Sequence, residues 1–295
     1  MSQEIRVALI GLDTSHAVQF AKRVHAPNCP ADQKVEGIRI TTCLRFETPF
    51  QNKEGLDERQ KQLEDWGIKV TESLDEAVAD CDALMLTIND PARHLEFFEA
   101  CAGLGKPIFI DKPLADTLAN AKAIAKIAQE RNLRVWSSSS LRFSPQLIEA
   151  CEAVPEPLHV STYGHMGTAP AGSSIVWYGV HAFEMLQRAA GRGASTVQTV
   201  GTNCGAVCVV EYDNGRQGVV ELLKNGSGYG GFLRDKDKAV PFVVDHSRLY
   251  TDQLKQVVEF FKGGSAPVAM EDAVEIMAML EAAERSLQSG KAETV

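Results

Sequence analysis

Short apolar segments alternate with amphipathic segments over the first half of the 295-residue chain. A buried strand is a short apolar run, whereas a surface helix repeats its apolar positions about every 3.6 residues, so the pattern separates the two. Strands are predicted at residues 5–10, 38–44, 83–88, 108–110 and 134–136, and helices near residues 15, 58–66, 93–104 and 117–131. This alternation predicts an α/β fold with a doubly wound parallel sheet.

The pattern changes after Pro145 to longer strands joined by tight turns. Such strands are predicted at residues 196–200, 206–212, 218–223 and 240–244, with a hairpin turn at residues 213–215. Helices with an apolar stripe follow at residues 253–261 and 270–286. We therefore predict a C-terminal α+β domain with a largely antiparallel open sheet, and the change in periodicity places the domain boundary near residue 138.

Composition narrows the class of protein. Hydrophobic residues make up 44% of the chain and charged residues 23%, as in ordinary globular enzymes, and the net charge of −9 argues against nucleic acid as a partner. No apolar run is long enough to span a bilayer, and residues 1–6 lack the features of a secretory signal. The seven cysteines are scattered and include no Cys-x-x-Cys pair, which favours a reducing cytoplasm. We expect a cytoplasmic protein with no nucleic-acid or membrane partner.

The segment at residues 108–113, IFIDKP, is the most informative in the chain. It is a short apolar strand that ends in Asp111 and Lys112, and Pro113 then forces the chain to turn. Because proline restricts the residue before it, Lys112 is predicted to be exposed at the strand tip, where open α/β sheets place their chemistry. A helix, a further strand and the run LRFSP at residues 141–145 follow.

This order of motifs resembles the family of glucose-fructose oxidoreductase, inositol dehydrogenase and MocA, the Gfo/Idh/MocA family of sugar and cyclitol dehydrogenases. Its usual Glu-Lys-Pro signature is matched at residues 111–113 with one conservative change. The resemblance implies a Rossmann-like dinucleotide-binding domain at residues 1–138, and an α+β substrate and oligomerisation domain at residues 139–295. It also implies NAD or NADP as cofactor, and a homo-oligomer formed through the C-terminal sheet.

The predicted nucleotide loop departs from the family pattern. A Gly-x-Gly-x-x-Gly turn lets the backbone touch a pyrophosphate, but residues 11–16 read GLDTSH and keep only Gly11. Asp13 stands at the second glycine position, where it caps the following helix, places a carboxylate in the phosphate path, or does both. His16 stands at the third position and is either packed or able to reach a phosphate or substrate.

Two further segments belong to the predicted cofactor site. The second strand ends at Arg45 rather than at an acid, and Arg45 is either suited to the 2′-phosphate of NADP or simply solvated. Residues 87–94 resemble the family's loop beneath the nicotinamide, although the spacing is about two residues longer. The candidate cofactor-binding residues are Gly11, Asp13, Ser15, His16, Arg45, Thr87, Asn89, Asp111, Lys112 and Arg142.

The catalytic roles also follow from the resemblance. Hydride transfer from an alcohol needs a base and a cation near the oxygen, and the family uses the lysine of Glu-Lys-Pro with an Asp-x-x-x-His pair. Residues 175–184 resemble that pair at a predicted strand-to-helix junction, but Trp177 replaces the aspartate. The resemblance thus makes Lys112 and His181 the predicted catalytic residues. Glu184 either supplies the missing carboxylate or pairs with Arg188.

A pocket for a polyol is predicted from aromatic and polar residues of the second domain. Aromatic faces pack on sugar C–H groups and polar tips bind hydroxyls, although each residue is alternatively ordinary core. The candidate substrate residues are Tyr163, His165, Trp177, Tyr178, His181 and Glu184.

The predicted function is hydride transfer between NAD(P) and a sugar, cyclitol or related polyol. The alternative is a degenerate family member that binds a small polar ligand without dinucleotide or redox chemistry, since residues 11–16, Arg45 and Trp177 depart from the family pattern. A metal-assisted hydrolase or lyase is a third possibility, and no metal site is predicted in the preferred one. In a metal-assisted hydrolase or lyase, the metal ligands would be Asp13, His16, His94 and His181.

Overall fold

A computed structural model of the chain describes residues 4–295. Residues 1–3, which contribute to the expectation that no secretory signal is present, lie outside the described residues. The chain divides into two compact units. The first contains the residues up to Ala115, Asn120–Ser137 and Tyr250–Met270, and the second contains Asp116–Ala119, Ser138–Leu249 and Glu271–Val295.

The first unit is built on a parallel sheet. Its strands are β1 (Ile5–Ile10), β2 (Ile38–Leu44), β3 (Lys69–Thr71), β4 (Ala83–Leu86), β5 (Ile108–Asp111) and β6 (Val135–Ser138). They lie in the order β3-β2-β1-β4-β5-β6, and the β1–β2, β1–β4, β2–β3 and β4–β5 pairs are parallel. The order reverses between β1 and β4, as in a doubly wound dinucleotide-binding sheet. The predicted fold of this part is confirmed, and β3 is a strand that the pattern did not predict.

The helices are α1 (Ser15–His25), α2 (Lys53–Asp65), α3 (Leu74–Val78), α4 (His94–Ala102), α5 (Leu118–Glu130), α6 (Pro145–Ala153), α7 (Val180–Ala190), α8 (Leu249–Phe261) and α9 (Met270–Ser289). Four helices begin within one residue of the predicted starts at 15, 93, 117 and 270, whereas α2 and α8 begin five and four residues earlier than predicted and α3 and α6 were not predicted. Side-chain oxygens of Thr14, Asn52 and Ser73 accept hydrogen bonds from backbone N–H groups at the starts of α1, α2 and α3. These caps satisfy donors that a helix start leaves unpaired.

The core of the first unit surrounds its central strands. Residues 7–10 of β1, 83–86 of β4 and 108–110 of β5 are all 0% exposed. Continuous burial is expected of a parallel sheet that is covered on both faces, and it explains why these strands read as unbroken apolar runs.

The second unit contains a mixed, mostly antiparallel sheet. Its strands are β7 (His159–His165), β8 (Ala194–Thr202), β9 (Gly205–Tyr212), β10 (Gln217–Leu223), β11 (Gly230–Arg234), β12 (Ala239–Val243) and β13 (Glu293–Thr294). They lie in the order β12-β11-β7-β10-β9-β8-β13, in which β7 and β10 are parallel and the other pairs antiparallel. The predicted α+β architecture is confirmed.

One face of the second sheet carries exposed apolar side chains, and we call it the open face. Strand register places six residues in one row across the sheet, namely Val243, Gly230, Tyr163, Glu221, Val207 and Val200. Directly paired residues point to the same side of a sheet. Within this row Val200 is 58%, Val243 66% and Tyr163 36% exposed.

Two local features complete the description. Residues Ile175–Gly179 form a π-helical turn that leads into α7, so the expected strand-to-helix junction is wrong and the segment is helical. Among residues 4–295, no helix is both long and apolar enough to cross a membrane.

The burial of β1 gives a stability prediction. We expect Leu9→Ala to lower the free energy of unfolding by about 2–5 kcal/mol, because the substitution removes apolar contacts and leaves a cavity in a well-packed core. Leu104→Ala is the matched control, since Leu104 is 38% exposed and Leu9 is 0% exposed. Urea denaturation measures both variants. Equal losses in the two would contradict the placement of β1 at the centre of the core.

Candidate active site

Gly11 holds the loop after β1 against the end of β4. Its φ is +108°, and a Cβ atom there would lie 2.8 Å from the backbone oxygen of Thr87. Only glycine tolerates both the left-handed conformation and this close approach. The loop therefore lies at the point where the strand order reverses, which is where doubly wound sheets bind their ligands.

Asp13 ties three loops together at this edge of the sheet. Its carboxylate accepts hydrogen bonds from Asn89 N at 2.8 Å, Asp90 N at 3.2 Å and Thr48 Oγ at 2.8 Å. The side chain is 0% exposed. Burial raises the pKa of Asp13 above its usual value, and the three hydrogen bonds oppose the rise.

Two expectations about Asp13 are corrected by this arrangement. The cap of α1 is Thr14, whose hydroxyl accepts from His16 N at 3.2 Å, and not Asp13. The Asp13 carboxylate is turned into the protein and engaged by three donors, so it does not project from the helix start. Thr48 was not predicted. The only sequence signal for Thr48 is its position on the long polar loop after β2. This loop folds onto Asp13 and does not project from the fold as an insertion.

The residues at this edge fit a dinucleotide. The strand order reverses between β1 and β4, Gly11 keeps the tight turn, and Ser15 at the start of α1 is exposed. Helix N-termini present unpaired N–H groups that suit phosphate. The two missing glycines change the loop, but because Asp13 points inward they leave the start of α1 open.

Arg45 makes an ion pair within the first unit. Its Nη2 lies 2.5 Å from Asp57 Oδ1, its Nη1 donates to Gln60 Oε1 at 2.5 Å, and its side chain is 11% exposed. The guanidinium is therefore not simply solvated. Its suggested contact with a 2′-phosphate stays a prediction.

Lys112 is buried, which contradicts the expectation that it is exposed. It is 4% exposed at the end of β5, and the peptide bond that joins it to Pro113 is cis. Burial lowers the pKa of Lys112, and the carboxylates of Asp111 and Asp13 oppose that change. The Lys112 amine is therefore a weaker base than that of an exposed lysine.

Asp111 connects Lys112 with His16. Its Oδ1 accepts from Lys112 N at 2.9 Å, and its Oδ2 lies 2.5 Å from His16 Nδ1. The side chain is only 2% exposed. Burial by itself raises the pKa of Asp111, but the interactions with His16 and Lys112 outweigh it, and the pKa lies below its usual value.

His94 is committed to the backbone. Its Nε2 lies 2.9 Å from Ile88 O and its Nδ1 3.2 Å from Leu114 O, and the side chain is fully buried. Neither nitrogen is available to a metal. Over residues 4–295, no group of three or more His, Cys, Asp or Glu side chains is placed to hold a metal ion.

His181 lies in the second unit and is held by a serine. Its Nδ1 is 2.6 Å from Ser139 Oγ, and Ser139 Oγ also accepts from Leu141 N at 3.2 Å. The rings of Tyr178 and Tyr229 meet the imidazole edge-on, with centroids 5.6 and 5.4 Å away. Ser139 and Tyr229 were not predicted, and the only signal for Ser139 is its place in the serine run at residues 137–140.

Glu184 does not supply a carboxylate to the Nδ1 of His181. It forms a buried ion pair with Arg142, whose Nη1 lies 3.2 Å from Oε2, and its Oε1 accepts from Ser139 N at 3.0 Å. The predicted partner Arg188 is therefore replaced by Arg142, which also donates to Gln187 Oε1 at 2.5 Å. Burial raises the pKa of Glu184 to about 7, against the opposing effect of Arg142.

The predicted substrate residues form a ring cluster in the second unit. Trp177 and His165 each meet Tyr178 edge-on, with centroids 4.4 and 5.1 Å apart. The buried His165 Nδ1 has no hydrogen-bond partner among the described residues. Tyr163 lies on the open face. Since His181 also meets Tyr178, the structure brings four of the five predicted rings together and places the fifth, Tyr163, on a surface.

The raised pKa of Glu184 gives a pH-dependent stability. A carboxyl whose folded-state pKa exceeds its unfolded value stabilises the protein below the unfolded pKa, and the contribution is lost as pH rises through the folded value. Between pH 4 and 8 we expect the free energy of unfolding of wild type to fall by about 3 kcal/mol relative to that of Glu184→Gln. The shift of the Glu184 pKa from 4.5 to about 7 corresponds to that energy. Denaturation at several pH values measures it. The exposed Glu221→Gln is the control, and parallel pH curves for wild type and Glu184→Gln would contradict the assignment.

Comparison with known proteins gives a family match over part of the chain. A profile described as the GFO_IDH_MocA oxidoreductase family, with an NAD-binding Rossmann fold, matches residues 52–139. Dehydrogenase aclE of Aspergillus oryzae is 27% identical over 154 residues, which are 52% of this chain and 40% of that protein. The chain therefore covers less than two thirds of this relative's length.

Solved structures share the fold over the whole chain. GenD2 from gentamicin A biosynthesis, solved in complex with NAD, has a TM-score of 0.82 at 17% identity and covers 100% of this chain and 97% of its own. The scyllo-inositol dehydrogenase of Lactobacillus casei, solved with bound NAD(H) and scyllo-inositol, has a TM-score of 0.80 at 12% identity, with 99% of both chains covered. Residues 52–139 thus resemble the NAD-binding Gfo/Idh/MocA oxidoreductase family, and the whole chain shares the fold of these solved structures.

Proposed function

We propose that this protein is an NAD(P)-dependent oxidoreductase that transfers a hydride between nicotinamide and a sugar, cyclitol or related polyol. The observation that carries the proposal is Lys112, a buried lysine with a lowered pKa at the carboxyl end of β5 in a doubly wound parallel sheet. Perturbed titratable groups at this edge of such a sheet are typical of catalytic sites.

The residues that would hold the cofactor lie around the switch point of the sheet. Gly11 gives the tight turn, Ser15 lies exposed at the start of α1, and Thr87 and Asn89 follow β4. The bound nicotinamide would supply the hydride acceptor or donor. Arg45 remains the proposed neighbour of a 2′-phosphate, and its ion pair with Asp57 would have to adjust.

Lys112 acts on the oxygen of the reacting carbon. Its charge stabilises an oxyanion that develops there, and burial strengthens the interaction because little water screens it. The family resemblance assigns the exchange of a proton to His181, whose Nδ1 faces the hydroxyl of Ser139. Arg142 stays a candidate cofactor residue, although its guanidinium is bonded to Glu184 and Gln187.

The aromatic cluster around Tyr178 favours a polyol substrate. Trp177 and His165 pack against Tyr178, and rings of this kind bind the C–H faces of sugars and cyclitols. The scyllo-inositol bound to the Lactobacillus casei relative supports the same class of substrate. The alternative function is a protein that binds a small polar ligand without redox chemistry. The observation that favours it is the replacement of the second and third glycines by Asp13 and His16.

The proposal includes a cytoplasmic location and a homo-oligomer. All seven cysteines are free thiols, and five of them are buried, which suits a reducing compartment. The exposed Val200, Val243 and Tyr163 of the open face are the proposed contact with a second copy of the chain, because exposed apolar side chains of this size often mark an interface. We propose neither a nucleic acid nor a membrane as partner.

Calorimetric titration with NADH and NADPH at low salt tests the function. We expect micromolar binding of at least one nucleotide and turnover of a member of a cyclitol and sugar panel. Lys112→Met should lower kcat by roughly 10²–10⁴-fold, because it removes the charge next to the developing oxyanion. Lys126→Met, at a side chain 73% exposed, is the control. Absence of binding by both nucleotides would favour the ligand-binding alternative, and full activity of Lys112→Met would exclude its role.

The proposed oligomer is tested on the open face. We expect light scattering after gel filtration to give a mass at least twice the 32.1 kDa of the chain. Val200→Glu should shift the mass toward the monomer, because a carboxylate in an apolar contact must be desolvated without a partner. Lys236→Glu, at an 81% exposed side chain on a turn, is the control. A monomeric wild type would exclude the contact.

A further inference from the structure

Two histidines in the protein differ in the partner of their Nδ1 atoms. His181, the histidine that the family resemblance selects, faces the neutral hydroxyl of Ser139 at 2.6 Å. His16 faces the carboxylate of Asp111 at 2.5 Å. The carboxylate and histidine pair that residues 175–184 lack is therefore present at the end of β5, in the first unit.

The Asp111 carboxylate fixes the proton of the His16 ring. Both carboxylate oxygens are engaged, Oδ1 by Lys112 N and Oδ2 by His16 Nδ1, and the side chain is 2% exposed. An ionised carboxylate only accepts hydrogen bonds, so the neutral imidazole must donate from Nδ1. Nε2 then carries the lone pair and accepts protons, as in histidines that a carboxylate orients.

The His16 ring is held on its other sides by aromatic neighbours. Phe20 and Tyr250 meet it edge-on, with centroids 6.3 and 5.0 Å away. Arg23 lies over the Tyr250 ring at 5.0 Å and donates to Thr251 Oγ at 3.1 Å, which braces that wall. The His16 side chain remains 12% exposed, so the ring is oriented and still reachable.

The charged groups that contact His16 or its aromatic neighbours belong to defined elements. Asp111 and Lys112 come from the end of β5, and Arg23 from α1 stands behind Tyr250. Asp13, in the loop before α1, acts on Lys112. At Nδ1, an imidazolium at His16 therefore meets the Asp111 carboxylate, whereas His181 Nδ1 meets the Ser139 hydroxyl.

We propose that His16, oriented by Asp111, is the residue that exchanges the substrate hydroxyl proton, in place of His181. The proposal rests on the proposed dehydrogenase function and deepens it. In the proton step the substrate O–H bond breaks and an N–H bond forms at His16 Nε2. The Nδ1 proton remains on His16 and continues to bond to Asp111, so the carboxylate balances the new positive charge of the ring. Lys112 stabilises the substrate oxygen that has lost its proton.

The first test is nuclear magnetic resonance of the imidazole nitrogens in the full chain without ligand. We expect neutral His16 to carry its proton on Nδ1. Asp111→Asn should convert it at least partly to the Nε2–H tautomer, because the side-chain amide of asparagine donates where the carboxylate accepted. A wild-type His16 protonated on Nε2 would overturn the proposal.

The second test separates proton transfer from cofactor binding. Because it does not use Asp111→Asn, it still decides the question if that variant fails to fold. We expect His16→Gln to keep NADH affinity within about threefold while kcat falls roughly 10²–10⁴-fold and the acid limb of the pH–rate profile disappears. His181→Gln should retain that limb, and Asp75→Asn, an exposed carboxylate on α3, should change nothing.

Three outcomes would overturn the proposal. They are a kcat of His16→Gln within about threefold of wild type, loss of NADH affinity by tenfold or more in that variant, and retention of its acid limb. A wild type that binds no nicotinamide nucleotide and converts no polyol would instead overturn the proposed function. The tautomer measurement needs neither ligand, so it judges the pair of His16 and Asp111 independently.

Discussion

Carboxylates that are buried away from water organise the carboxyl edge of the parallel sheet. A buried charge without donors or a counter-charge costs several kcal/mol, so the surrounding backbone must supply them. Asp13 takes donors from the loops after β2 and β4, and Asp111 takes them from Lys112 N and His16. Moving any of these loops would leave a buried carboxylate without one of its donors. The positions of the groups around Lys112 are therefore fixed by several hydrogen bonds at once.

The same constraint operates in the second unit. Glu184 and Arg142 are both almost fully buried, and Ser139 N completes the set of donors to the Glu184 carboxylate. Ser139 is thereby held by its backbone while its hydroxyl faces His181. A buried ion pair thus sets the position of the hydroxyl that holds the His181 ring.

The sequence predicts the two sheets well, because burial on both faces of a parallel strand and alternation along an antiparallel one leave distinct patterns. It predicts side-chain partners poorly. Local spacing suggests Arg188 for Glu184 and a capping role for Asp13, but both carboxylates are satisfied by groups that the fold brings from elsewhere. Lys112 was expected to be exposed because Pro113 ends the strand, yet termination of a strand says nothing about what covers its tip. Thr48, Ser139 and Tyr250 carry no local motif, and only tertiary contacts reveal them.

The return of residues 250–270 to the first unit has a consequence for how the protein is made. Tyr250 packs on His16 and Phe20, and Phe260 packs on Trp136 and Arg134, so α8 covers side chains of α1 and β6. When the ribosome has synthesised all strands of the parallel sheet, it has not yet synthesised α8. The unit that begins the chain is therefore completed only after all strands of the second sheet except β13 have been synthesised, and a nascent chain that stalls earlier exposes an aromatic surface.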